Sequence, residues 1–199
     1  MKKLALVLLA GISFASANAQ FQFGVKAGAN FATLSGSDVV DAKTLFNLNV
    51  GAFAKLPIDR RWSLQPELVY SGQGARFDDG SAGTLSDHIN FLNVPVLLKY
   101  SHGSGFFLET GPQLGFVLSA NEKVEGNSTN VKSLLNSSDF AWVFGVGCKI
   151  PASRLGIDLR YNVGIANIED RNHTGDNGSI RNNVFQLGLT YVLFSTGRR

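Results

Sequence analysis

NNVFQLGLTYVLF, Asn182 to Phe194, alternates almost without a break. Phe185, Leu187, Leu189, Tyr191 and Leu193 fall on one side of an extended chain, and Val184, Gln186, Gly188, Thr190 and Val192 on the other, which is the period of two that a β-strand imposes. One face is greasy and the other polar or small. A soluble barrel turns its greasy face inward, whereas a membrane barrel inverts this, with apolar residues toward lipid and polar ones toward the lumen. The rest of the chain has to decide between the two.

The same alternation recurs upstream in seven segments, at about 21–31, 46–56, 62–70, 88–100, 106–118, 140–150 and 155–165. Polar loops or turns separate them: Leu34 to Lys43, Pro57 to Arg61, Arg76 to Asp87, Ser101 to Gly105, Ala120 to Ser138, Pro151 to Arg154 and Asn167 to Ile180. Short turns therefore alternate with long loops. The expected fold is all-β, an eight-stranded antiparallel up-and-down transmembrane β-barrel, with strands long enough to cross a bilayer when tilted. Pro66, Pro95 and Pro112 each remove a ladder donor, so bulges or irregular pairing are expected beside them.

Composition bounds the remainder. Lys2 and Lys3, the apolar run Leu4 to Phe14, and Ala17-Asn18-Ala19 form a secretory signal peptide over residues 1–19, with cleavage after Ala19 and the barrel domain over 20–199. The chain carries 18 basic and 15 acidic residues; removing Lys2 and Lys3 leaves 16 against 15 and a net charge of only +1, so the pI near 9.1 overstates the basicity. No basic run interleaved with aromatics survives to suggest nucleic acid. The single Cys148 excludes internal disulfides and a lipidated cysteine after the cut.

Charge placement decides between the two barrels. Lys26, Lys55, Glu67, Lys99, Glu109, Lys149, Asp158 and Arg160 all share the polar face of their strands. Ten glycines share it too (Gly24, Gly28, Gly51, Gly111, Gly115, Gly145, Gly147, Gly156, Gly164, Gly188), which suits a cramped interior better than a solvated surface. Aromatics sort by height on the other face. Trp62, Tyr100, Phe106 and Tyr191 lie near the short-turn ends, and Phe31, Phe46, Phe116 and Trp142 near the long-loop ends, giving two interfacial girdles. The location expected is the outer membrane of a Gram-negative bacterium, with its lipids and the barrel-insertion machinery as partners.

FGVKAGANFATL (Phe23 to Leu34), LNVPVLLKY (Leu92 to Tyr100), GPQLG (Gly111 to Gly115) and RYNVGIANI (Arg160 to Ile168) together resemble the PorT-type outer-membrane β-barrel family of Bacteroidota, at the size of small OmpA/OmpX-type barrels. The resemblance covers the mature chain and implies fold and location; one member's part in protein secretion is not carried over. It favours an inward Pro95 and Lys99.

Within so narrow a lumen the eight charges are expected to pair, with Lys55, Lys99, Glu109, Lys149, Asp158 and Arg160 forming a salt-bridged plug in the short-turn half. A conducting or proton-linked role is the competing reading. The loops hold ten acidic residues, Asp38, Asp41, Asp78, Asp79, Asp87, Glu122, Glu125, Glu169, Asp170 and Asp176, against five basic ones, so an acidic rim could meet a surface or secretion partner. Asp170 to Gly175 fails as a calcium loop, because Thr174 and Arg181 stand where acidic ligands belong. No metal or cofactor is expected. A lipid-modifying enzyme would need His88 with Ser86 and Asp87, but Asp87 faces away from the other two on a strand, and no catalytic residue is assigned. Gln186, Gly188, Tyr191, Leu193 and Phe194 resemble the terminal signal by which outer-membrane barrels are recognised for insertion, although Ser195 to Arg199 follow it.

Overall fold

A computed structural model describes residues 21–36, 43–79, 83–124, 127–132, 135–167 and 180–196. Eight long strands close a ring: β1 (Gln22–Gly36), β2 (Lys43–Pro57), β3 (Trp62–Asp79), β4 (Gly83–Ser101), β5 (Phe106–Val124), β7 (Ser138–Lys149), β8 (Leu155–Gly164) and β9 (Ile180–Ser195). Each pairs antiparallel with its neighbours, and β9 returns to β1. A ninth short strand, β6 (Asn127–Asn130), pairs only with β5 and stands outside the ring. Closure pairs the backbone all round, which hydrocarbon requires because it offers no partner to a free N–H or C=O.

The faces are inverted as alternation predicts. Leu48, Leu68, Leu108, Phe144 and Leu187 are each about half exposed or more, while Lys26, Asn30, Glu67, Asp158 and Arg160 are buried. An exposed apolar belt running round the barrel is a liability in water and the natural boundary to lipid. The girdles lie in register: Trp62 pairs with Tyr100 across β3 and β4, their rings 5.0 Å apart and edge-on, and Phe31 meets Phe46 at 5.7 Å. Strands are joined by tight turns at the end where β1 begins and β9 finishes. In one of them Asp59 accepts from the backbone N–H groups of Arg61 and Trp62, and those bonds hold its carboxyl below the usual range.

Two expectations need correction, and one holds. The strands overrun the loop boundaries read from sequence: β1 continues to Gly36, β3 reaches Asp79 before β4 starts at Gly83, and β5 runs to Val124. Polar residues do not end a ladder whose backbone groups are still paired, so the hairpins rise above the girdle. Pairing is irregular at all three prolines, as expected: Pro66 drops out of the ladder with β2, Pro95 out of that with β3 and Pro112 out of that with β4, each without loss of register. The register shifts do not fall at the prolines but between Phe23 and Gly24, Thr44 and Asn49, and Asn90 and Phe91. Nor is the lumen uniformly polar. Leu34, Ala75, Ile89, Phe91, Val117 and Ala120 form an apolar cluster at its long-loop end.

Two interior glycines exist to admit a ring. A Cβ at Gly24 would collide with Phe53, and one at Gly147 with Phe107, both rings pointing into the lumen from adjacent strands. Gly147→Val should therefore destabilise the barrel by about 1–3 kcal/mol through overpacking. Urea unfolding of the refolded protein, followed by tryptophan fluorescence, checks this; an unchanged midpoint contradicts it.

Candidate functional site

Six of the eight interior charges converge at mid-barrel, none more than 8% exposed. Arg160, rising on β8, is the hub. Its Nη1 and Nη2 donate to the two oxygens of Glu67 on β3 at 2.8 and 2.7 Å, a fork on the far wall, 93 residues away in sequence. Its Nε donates to Glu109 on β5 at 2.6 Å and lies 3.1 Å from Asp158. Lys26 on β1 reaches Glu67 at 3.4 Å and Asp158 at 3.7 Å, and Lys99 on β4 reaches Glu109 at 3.2 Å. Gln65 completes the shell by donating to Glu67 at 2.8 Å and accepting from Lys99 at 3.5 Å. The set contains three cations and three anions. Asp158 makes no hydrogen bond of its own and is balanced only through space by Arg160 and Lys26.

Lys55 and Lys149 do not join. Both lie one layer lower, at the short-turn mouth, where Lys55 reaches only the hydroxyl of Ser101 at 3.5 Å and Lys149 is exposed. Their phase on the strand is inward, but height along the barrel depends on the stagger between strands, which alternation does not encode. Lys26 and Glu67 lie instead in the network's core, above the half where pairing was expected.

Above the charges sits a layer of neutral amides that the sequence reading left unassigned. Asn30 donates to Ser71 at 2.8 Å and to the Gly72 carbonyl at 2.7 Å, and accepts from Asn49 at 2.6 Å and Gln186 at 3.0 Å. Gln73 donates to Ser71 and accepts from Asn182. Asn30, Asn49, Asn182 and Gln186 all occupy inward phases, so the layer is legible in the alternation of uncharged polar residues. Above the amides lies the apolar cluster, on which Val131, Leu135 and Ile180 pack. The Val131 N–H donates to the Ala120 carbonyl at 3.1 Å, and Lys132 Nζ to the Leu118 carbonyl at 2.9 Å, which turns the segment after β6 back onto the mouth.

The residues of the last strand's motif divide by face. Gln186 and Gly188 point inward, where a Cβ at Gly188 would meet the Asp158 carboxylate at 2.6 Å; Tyr191, Leu193 and Phe194 face outward. Gly188 thus has a packing reason besides any recognition role. His88 lies opposite Gly74 on β3 and Asn121 on β5, while Asp87 lies opposite Glu122. Asp38, Asp41, Glu125 and 168–179 lie outside the described residues, and with them most of the acidic rim and the rejected calcium loop. Among the described residues no group of three or more His, Cys, Asp or Glu side chains is placed to hold a metal ion.

The family described as "Outer membrane protein beta-barrel domain" matches residues 14–170, well over half the chain. The chain belongs to this family. Its place is accordingly the outer membrane, in a lipid environment. Among solved structures, it is similar to Neisserial surface protein A, at 15% identity and a TM-score of 0.57, covering 88% of this chain and 99% of that one. It is also similar to Ail, the attachment invasion locus protein of Yersinia pestis, at 13% identity and a TM-score of 0.50, covering 87% and 99%. At such identities the likeness is one of fold. No curated protein matches the sequence.

Glu67→Gln should lower stability by about 3–5 kcal/mol, because it removes the carboxylate shared by Arg160 and Lys26 and leaves three buried cations against two anions. Lys55→Gln should shift the unfolding midpoint by less than about 0.5 kcal/mol, since it breaks no ion pair. Equal effects of the two in urea titrations would contradict this division of the interior.

Asp87, above the outer girdle, gives a pH signature. Burial first, and Glu122 second, push its carboxyl up from 3.8 to about 6. A raised carboxyl pKa means the folded state holds its proton longer, so this contribution is full below about pH 4 and is lost as pH rises through about 6. The unfolding midpoint of the wild type should therefore fall across that window more steeply than that of Asp87→Asn.

Proposed function

We propose that this barrel is a non-conducting, non-enzymatic outer-membrane protein that contributes to envelope structure and presents its risen hairpins to the outside. The observation that carries the reading is the six-charge network. Arg160 ties β8 to β3 and β5 across the lumen, and Lys26 and Lys99 tie in β1 and β4, so a passing ion would have to break several buried pairs at once. The amide layer and the apolar cluster add two further layers in series.

Export with cleavage after Ala19, insertion through the motif ending at Phe194, and membership of the PorT-type group belong to the same proposal. Surface contact is supported by the long β3, β4 and β5, which extend beyond the girdle, and is in keeping with one structural neighbour being a surface protein and another an attachment protein. A narrow channel or a component of secretion is the competing reading. Purified protein in planar bilayers decides between them: the expected outcome is no steady conductance, and large regular steps in the wild type would overturn the proposal.

A further inference from the structure

The mid-barrel charges cancel, but the layer beneath them does not. A cavity of about 320 Å³ opens at the short-turn end, and Lys55, Lys99, Lys149 and Arg154 line it. Among the described residues no carboxylate does. Lys99 alone of the four is ion-paired among the described residues, to Glu109, which does not line the cavity. Within the same set Lys55 reaches the Ser101 hydroxyl at 3.5 Å, and the like charges of Lys99 and Lys149 act on it more strongly than the opposite charge of Glu109. Arg154 donates to the Leu193 carbonyl at 3.2 Å, which leaves its charge uncompensated. Phe53 and Phe107 supply two apolar walls, and the Lys99 ammonium lies 3.4 Å from the centroid of the Phe107 ring.

Like charges gathered in a half-enclosed space repel one another through a medium of lower dielectric than water. In the mid-barrel network each buried charge has an opposite partner. Here the partner is missing from the lining, and an incoming anion would supply it while the narrowing walls focus the field on the opening. By the rule that places short turns on the periplasmic side, that opening faces the periplasm.

We propose that this mouth is a binding site for a small, multiply charged anion of phosphate or polycarboxylate type, drawn from the periplasm. Lys55 and Lys149 are its chief ligands, with Lys99 at its ceiling and Arg154 at its rim. Two or more negative charges are needed because the ammoniums are separate point charges rather than one planar fork. The space holds about ten waters' worth of volume at ~30 Å³ each, enough for pyrophosphate or a short dicarboxylate and too little for a folded partner. The site lies below the salt-bridge network, so it does not rest on whether the barrel conducts.

Titration calorimetry on the refolded barrel in zwitterionic micelles at low salt tests this, with inorganic pyrophosphate, succinate, acetate and chloride as probes. Pyrophosphate, succinate or both should bind at least about tenfold tighter than acetate, a difference of about 1.4 kcal/mol. The one that binds tighter tells phosphate from carboxylate preference. Lys55→Gln with Lys149→Gln should weaken that binding by about tenfold or more. Arg61→Gln, a cation at the same end outside the cavity, should leave it unchanged. Heat-modifiable gel migration verifies that each variant is folded. The proposal is overturned if all four anions bind alike, if none binds, or if the folded double variant binds as the wild type does.

Discussion

Everything in this molecule follows from the absence of water around its middle. A strand in hydrocarbon has no outside partner for its backbone, so the sheet must close on itself, and once closed it has no free edge. Closure then dictates where side chains go. Lipid takes one phase of each strand, and the lumen inherits all that lipid refuses. With eight strands that lumen is only wide enough for side chains to fill it. Charges admitted at its middle are cut off from water and meet each other there, which is why Arg160 is gripped by Glu67 and Glu109 together.

The interior is consequently stratified, each layer solving the same problem by different chemistry. Ion pairs neutralise the middle, amides satisfy one another above it, and apolar side chains close the top. Small residues make the filling possible. Gly24 and Gly147 give up their side chains so that Phe53 and Phe107 can occupy the lumen, and Gly188 makes room for the Asp158 carboxylate. The glycines and the large inward groups form complementary surfaces, so neither set can vary independently of the other.

How much of this was legible depended on whether the signal was local. Facing is local: the phase of Lys26 or Leu187 follows from its neighbours, and the alternation placed both. Height is not local. Lys55 has the right phase and the wrong level, because its vertical position is fixed by strand stagger, and Arg160 finds Glu67 only after three intervening ring strands, β4, β5 and β7, have taken their places. Strand four hid the apolar layer, since Ile89, Phe91 and Leu97 are apolar on the inward phase while Leu92, Val94 and Val96 are apolar on the other, and alternation goes silent there. Loop ends were misjudged at Gly36, Asp79 and Val124 for a related reason, because polarity marks solvent rather than the end of pairing.

The seam between β1 and β9 carries a consequence for assembly. Fifteen residues of β1 are matched with β9, and at its foot the Phe21 N–H donates to the Thr196 hydroxyl at 2.8 Å across a separation of 175 residues. Every other junction of the ring joins strands made one after the other, whereas this one joins the first made to the last. The entropy of bringing those ends together is charged to a single step, and the contacts that reward it come only when it is complete. Lys26 enters from β1 and its partner Asp158 from β8, on opposite sides of the seam, so closing the seam also brings this lumen pair together. Closure and interior packing are coupled through the residues of β1.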